Sequence, residues 1–365
     1  MKYENCDIIN DQICKKGITM LDIDSTLLKR YDNIEHNIQK GVALYGAGQN
    51  GRWCLRYLRN CGFDVKCFYD SAADKIKRYV DDIPVIEWLG SSDYVVLVTA
   101  KHCVQEILDK IDEDNVMSFD AWFIIRNLNP YDELQFEDEK SNKVKIAVQK
   151  AMLSGNEEQL CEVVSNRQYF CLPQFWGRIN ETFVDLGAYV GDTVEKFIQE
   201  HNGCFDKIYA FEPGEKQNRA LRYRCDRMKE EWALPDDKIV IEKMVVGGEK
   251  GIVNTNPNSY LQSLSFGQIN RGGKVGLEAI NLDEYFENKR ITFLKADIEG
   301  MEIEMLKGGE KVIKRDKPKI AICVYHCPDD LLEIYKLLKS WVPEYKMSLR
   351  QHSSQLMETV LYCYL

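Results

Sequence analysis

The chain has 365 residues, enough for roughly two domains at about 150 residues each. Hydrophobic residues make up 45% and charged residues 29%, ordinary globular proportions that exclude wholesale disorder. Forty-eight basic residues against 58 acidic give a net charge of −10, so the basic footprint of a nucleic-acid binder is absent at whole-chain level.

Apolar runs are short, Tyr94–Ala100 being typical, whereas a membrane span needs about 18 or more apolar residues. No transmembrane helix is expected, and the first residues lack the apolar stretch of a secretory signal. Thirteen cysteines without any C-x-x-C pair read as small buried side chains in a reducing cytoplasm, not as zinc ligands.

Residues 1–40 are mixed and polar, a helical or irregular lead-in. From Gly41 the pattern alternates: strand Val42–Tyr45, helix Arg52–Asn60, strand Asp64–Asp70, strand Asp93–Ala100 and helix Val104–Ile111. Strand–helix alternation predicts a parallel α/β sheet. Asn127–Asp132 is turn chemistry, Glu137–Lys140 reads as a solvated charge run, and residues 142–170 read as helical. A second alternation starts at Thr182, with seven strands at Phe183–Leu186, Lys207–Phe211, Ile239–Val246, Ile291–Ala296, Lys319–Val324, Tyr345–Leu349 and Thr359–Tyr364. The predicted fold is α/β, two Rossmann-like domains in tandem. The boundaries are 1–126, a linker with helices over 127–178, and 179–365.

Two glycine-rich loops follow predicted strands. Gly46, Gly48 and Gly51 form G-x-G-x-x-G, with Asp70 ending the next strand. Such a loop gives a tight turn, close backbone approach to phosphates and a helix N-terminus facing an anion, while the acid can accept from ribose hydroxyls. Packing glycines and a capping Asp70 would read the same way. The segment Gly41–Asp120, with Asp82–Ile86, resembles the Rossmann-like domain of PglD-type sugar acetyltransferases, which implies a nucleotide sugar at this loop.

The second loop, Phe183-Val184-Asp185-Leu186-Gly187-Ala188-Tyr189-Val190-Gly191-Asp192-Thr193, carries D-x-G-x-x-x-G, with Asp192 or Thr193 placed to cap the next helix. Bare backbone at Gly187 and Gly191 admits an amino-acid tail and a ribose. Asp185 either bonds the ligand's ammonium or organises the loop. Glu212, in Phe211-Glu212-Pro213 at the end of the next strand, can accept ribose hydroxyls. The pair is the pattern of class I S-adenosylmethionine (SAM) methyltransferases; an NAD-type domain with an unusual loop is the alternative.

Further on, Leu294-Lys295-Ala296-Asp297-Ile298-Glu299-Gly300 runs from strand to helix. If the strand stays extended, Lys295, Asp297 and Glu299 share one face, and the acids supply the lysine's partner. Asp297 then sits at the strand end where open α/β sheets bind ligands, although helix capping is the plainer role. His326 ends the following strand, and Arg350 and His352 could reach the same mouth.

These segments in this order, with Leu306-Lys307-Gly308-Gly309 and Val324-Tyr325-His326, resemble FkbM-type SAM-dependent methyltransferases over about residues 180–365. The resemblance implies a seven-stranded class I sheet and O-methylation, often of a sugar or natural-product hydroxyl. By position, SAM falls to Asp185, Gly187, Ala188, Tyr189, Gly191, Asp192, Thr193, Glu212 and Pro213. Asp297, Glu299 and His326 face a small-molecule or glycan acceptor. His326 or Asp297 would take the acceptor's proton; alternatively Asp297 and Glu299 would hold Mg²⁺. Two competing functions stay open: an NAD-dependent nucleotide-sugar oxidoreductase or epimerase at the first loop, and a non-catalytic nucleotide-binding module.

Overall fold

The computed structural model describes residues 23–72, 78–111, 113–127, 130–177, 179–255 and 275–365. The lead-in expected before residue 23 lies outside them.

The first unit opens with helix α1 (Ser25–Asn37), then β1 (Val42–Tyr45), α2 (Gln49–Asn60), β2 (Val65–Tyr69), β3 (Tyr79–Val80), β4 (Ile83–Ile86), β5 (Val95–Val98), α3 (Val104–Lys110), β6 (Val116–Ser118) and α4 (Phe119–Arg126). Its six-stranded sheet has the order β3-β4-β2-β1-β5-β6, parallel except for the β3–β4 hairpin. The central strands Val42–Leu44 and Val95–Val98 are wholly buried, as expected for apolar strands with both faces covered.

Helix α4, Phe-Asp-Ala-Trp-Phe-Ile-Ile-Arg, is buried from Phe119 through Ile125, the mark of an interior helix with no solvent face. Helix α5 (Glu139–Ser154) follows. The charge run before it is not merely solvated: Asp138 caps α5 by accepting from Ser141 N at 2.9 Å and also pairs with Arg350 at 3.0 Å. Gly155 ends α5 in the left-handed conformation. The helix predicted to run on to residue 170 therefore stops at Ser154, with a 3₁₀ turn at Glu158–Val163.

The second unit comprises β7 (Thr182–Leu186), α6 (Asp192–Glu200), β8 (Lys207–Phe211), α7 (Glu215–Glu231), β9 (Ile239–Glu242), β10 (Val245–Val246), β11 (Gly251–Thr255), β12 (Val275–Ile280), α8 (Leu282–Tyr285), β13 (Phe293–Ala296), α9 (Glu302–Lys307), α10 (Glu310–Asp316), β14 (Lys319–Cys323), α11 (Asp330–Trp341), β15 (Lys346–Gln351) and β16 (Thr359–Tyr364). Seven strands form one sheet in the order β15-β16-β14-β13-β7-β8-β9, with β16 antiparallel between β14 and β15. The predicted strand Ile239–Val246 divides. Its first half stays in this sheet, and Val245–Val246 pairs instead with β12 in a separate three-stranded sheet, β10-β12-β11.

One continuous apolar core runs from Leu28 through Trp122 and Val144 to Leu294, Ile322 and Cys363, so both units share it. The far face of the seven-stranded sheet carries an aromatic cluster in which Phe183 and Phe197 stack at 4.4 Å. From β7 the chain winds outward to β8 and β9 on one side and to β13 and β14 on the other. That reversal opens a crevice at the C-terminal ends of the central strands.

Candidate active site

A cavity of about 450 Å³ occupies this crevice, within the range of small-molecule sites. Of the residues singled out in the sequence, Gly187, Tyr189, Asp192, Thr193, Glu212, Pro213, Asp297 and Glu299 line it. Asp185, Ala188, Gly191 and His326 are buried behind its wall.

The turn after β7 requires glycine at Gly187. Its φ is +75°, and a Cβ there would lie 1.9 Å from the Asp297 carbonyl oxygen, so the two strand ends meet only because no side chain intervenes. Gly191 (φ +84°) caps α6 without a side-chain bond, and Asp192 and Thr193 are the first two helical residues instead of its cap. Glu212 accepts from Tyr189 N at 2.9 Å and Gly214 N at 2.8 Å and is 3% exposed. Burial pushes its carboxyl up to about 7, against the downward pull of those amides.

Lys295 takes its direct ion pair from the neighbouring strand, not from the acids that follow it in its own segment. The β7–β13 register sets it beside Asp185, and its Nζ lies 3.0 Å from Asp185 Oδ1, 2.8 Å from Gly187 O and 3.3 Å from Leu186 O. Burial opposes the lysine's charge, but Asp185 and Asp297 outweigh it and raise its pKa. Of the two roles open to Asp185, the geometry favours organising the loop: it is fully buried and ties β7 to β13.

Asp297 faces the cavity from the end of β13. Tyr169 OH donates to its Oδ2 at 3.0 Å, and His326 Nε2 lies 3.4 Å from its Oδ1. On the other side of the ring, His326 Nδ1 lies 3.0 Å from Glu302 Oε1. Burial disfavours charge on this imidazole, yet Glu302, Asp297 and Glu299 raise its pKa to about 10. His326 is 1% exposed and lies between two carboxylates that favour its charged form. Its cation and Lys295 hold Asp297 below the usual carboxylate range in spite of burial.

Asp297 does not cap α9, whose N-cap is Met301 with no side-chain bond; Glu302 instead accepts from Ile298 N at 2.8 Å. Among the described residues, Asp297, Glu302 and His326 bring three potential ligand atoms within 4.8 Å of one another, and Glu299 is not in that set. The extended-strand expectation fails at Glu299, because β13 ends at Ala296 and Glu299 sits in a left-handed turn at φ +58°.

Sequence reading assigned no site role to Gln168, Tyr169, Tyr325 and Glu358, which also line the cavity. Gln168 Nε2 donates to Glu358, whose carboxyl is raised first by burial and then by Asp297. Arg350 and His352 do not reach the mouth. Arg350 is spent on Asp138, and His352 sits between Ser165 O (2.7 Å) and Tyr362 OH (2.8 Å) with its pKa lowered by burial to about 4.

In the first unit, Asp70 accepts from Ala47 N and Ala72 N at 2.9 Å each. Gly51 is required by packing, since a Cβ there would lie 2.1 Å from Gly46 O. Of the described cysteines, Cys54, Cys67, Cys225, Cys323, Cys327 and Cys363 are buried as expected, whereas Cys61, Cys103, Cys161 and Cys204 are exposed. No helix among the described residues is long and apolar enough to cross a membrane.

Residues 185–345 match the model of the methyltransferase FkbM domain. No curated protein matches the chain. Among solved structures, the chain is similar to methyltransferase FkbM from Methylobacillus flagellatus KT, with 20% identity, 98% of this chain and 99% of that chain covered, and a TM-score of 0.56. That likeness shows a shared fold across both units. Smaller overlaps occur with an rRNA methylase from Streptococcus thermophilus (16% identity, 55% of this chain, 97% of that chain, TM-score 0.33) and a SAM-dependent methyltransferase from Aquifex aeolicus (10%, 57%, 97%, 0.30).

The seven-stranded sheet and the domain match together define a SAM-dependent methyltransferase. More narrowly, its second unit carries a methyltransferase FkbM domain.

Proposed function

We propose that the protein transfers the methyl group of SAM to a hydroxyl of a sugar, glycoconjugate or related metabolite. The observation that carries this reading is a single cavity lined by Glu212 at one strand end and by Asp297, two strands away, at another. Two strand spacings are about 10 Å, room for a nucleoside at one side and an acceptor at the other.

The residues fit SAM. The cradle at Gly187 is one that any Cβ would fill, and Glu212 offers a carboxylate to ribose hydroxyls. The backbone from Gly187 to Gly191, with Tyr189, Asp192 and Thr193, would hold the amino-acid tail, and Met244, Val245 and Val246 would flank the adenine. When bound, SAM supplies an electrophilic methyl on sulfur, whose transfer is an in-line displacement.

The chain's own work is positioning and proton handling. An acceptor hydroxyl at Asp297 donates its proton to the carboxylate as its oxygen takes the methyl group. The His326 imidazolium keeps Asp297 ionised and turned toward the cavity, Glu302 holds His326 from behind, and Tyr169 fixes the second carboxylate oxygen. Glu299 and Glu358 offer acceptors to further hydroxyls of a polyol. No step here is routed through a metal ion. Nor is a nucleotide sugar required in the first unit, where Asp70 is engaged by its own loop.

Glu212 makes cofactor affinity pH-dependent. With its carboxyl near 7 in the free protein and ionised when accepting ribose hydroxyls, S-adenosylhomocysteine (SAH) should bind about tenfold more weakly at pH 6 than at pH 8. Calorimetry at both pH values checks this, and Glu212→Gln should flatten the dependence.

The acceptor class is tested by transfer from radiolabelled SAM to methyl glycosides of glucose, mannose and rhamnose. A base-stable ether on any of them supports the reading. Label found only in a base-labile ester or on an amine would overturn it.

A further inference from the structure

The first unit does more than pack. Helix α2 opens from its glycine-rich loop and runs against the acceptor side of the second unit, where Trp53 and Arg56, three residues apart and so on one helix face, reach the Glu299–Gly300 turn. Trp53 Nε1 donates to Glu299 O at 3.3 Å, and Arg56 Nη2 donates to Gly300 O at 2.7 Å. Arg56 also contacts Cys327 Sγ. The Trp53 indole lies 5.0 Å from the His326 ring, centroid to centroid. Nearby, Lys101, beyond the end of β5, donates to Tyr325 O at 3.4 Å.

The turn these residues hold needs holding. Glu299 is a non-glycine residue at φ +58° and Gly300 follows at φ +87°. Left-handed backbone at a residue with a Cβ costs about 1–2 kcal/mol, so it persists where surroundings fix it. The fit at Gly300 is close: a Cβ there would lie 2.8 Å from Trp53 Nε1 and 3.3 Å from Cys327 Sγ. The strained turn carries Glu299 into the cavity wall and leads directly into Glu302, the residue behind His326.

We infer that Trp53 and Arg56 are positioning residues of the methyltransferase site, and that the first unit serves as the outer wall that locks the Glu299–Gly300 turn and the His326 ring in place. This rests on the transferase reading above for its functional meaning, but the lock itself is testable without an acceptor.

The experiment uses the full chain saturated with SAH, comparing the parent with Arg56→Ala, Arg56→Lys and Trp53→Phe. Backbone hydrogen exchange is read over residues 298–305, and the His326 ring protons are followed by NMR. In Arg56→Ala the turn amides should exchange at least tenfold faster, and the His326 resonances should shift as the ring loses its fixed place beside the indole. Arg56→Lys should restore most of both, and SAH affinity should stay within about twofold throughout. Trp53→Phe keeps the packing but removes the donor to Glu299 O, so it reads the lock even where Arg56→Ala folds poorly. Exchange and His326 resonances unchanged in both Arg56→Ala and Trp53→Phe would overturn the inference. Failure of the parent to bind SAH would instead strike the transferase reading, and exchange measured without SAH would still report on the lock.

Discussion

Lys295→Ala is expected to lower the unfolding free energy by about 3–5 kcal/mol, the usual range for removing one partner of a buried ion pair. Asp185 is fully buried, and Lys295 is the cation it meets at 3.0 Å. Without the lysine, the carboxylate must remain uncompensated or take up a proton. Protonation at pH 7 of a group whose unfolded pKa is about 3.9 costs about 4 kcal/mol, which bounds the loss. The sign of the pH dependence follows. Burial already raises the folded pKa of Asp185 above its ordinary value, and loss of Lys295 raises it further, so the deficit should shrink toward pH 4 and grow as the pH rises. Urea unfolding at pH 5 and pH 8 checks both points. Replacing the pair together, as Lys295→Met with Asp185→Leu, should cost less than the single change, because no charge is then left buried alone.

Asp297→Asn is expected to reduce methyl transfer by about 10²–10⁴-fold, the contribution of a positioned proton acceptor. The amide keeps the shape and the Tyr169 contact but accepts no proton. Because the cofactor's proposed contacts lie at Gly187–Thr193 and Glu212, SAH affinity should change by less than about threefold. Glu299→Gln should cost no more than about tenfold, because its carboxylate is assigned to a neighbouring hydroxyl. Initial rates at saturating SAM separate the two. A larger loss in Glu299→Gln than in Asp297→Asn would move the proton acceptor to the turn.

Much of this was legible in the sequence because it rests on local pattern. Buried parallel strands such as Val95–Val98 and Phe183–Leu186 are apolar runs ended by turn residues, and the glycines at 187 and 191 announce a backbone that side chains would block. Pairings between distant strands were not legible. Lys295 looks along its own strand to Asp297 until the register with β7 places Asp185 beside it. Ile239–Val246 reads as one strand, but its last two residues leave for a second sheet whose other strands carry no strong apolar run.

His326 shows how far a motif reaches. It lies just beyond the end of β14, but nothing in its own segment reveals the carboxylates of Glu302 and Asp297 on either side of the ring, which favour its charged form. Gln168 and Tyr169 lie in a turn within a stretch that reads as helical, Glu358 lies in the loop before β16, and the contacts of Trp53 and Arg56 span more than 240 residues.

Calorimetric titration of the purified chain with SAH, beside Glu212→Ala, tests the central claim most directly. The account predicts one saturable site in the parent and at least tenfold weaker binding in the variant, with folding retained. A folded parent that binds no SAH, or a variant that binds as tightly as the parent, would contradict it.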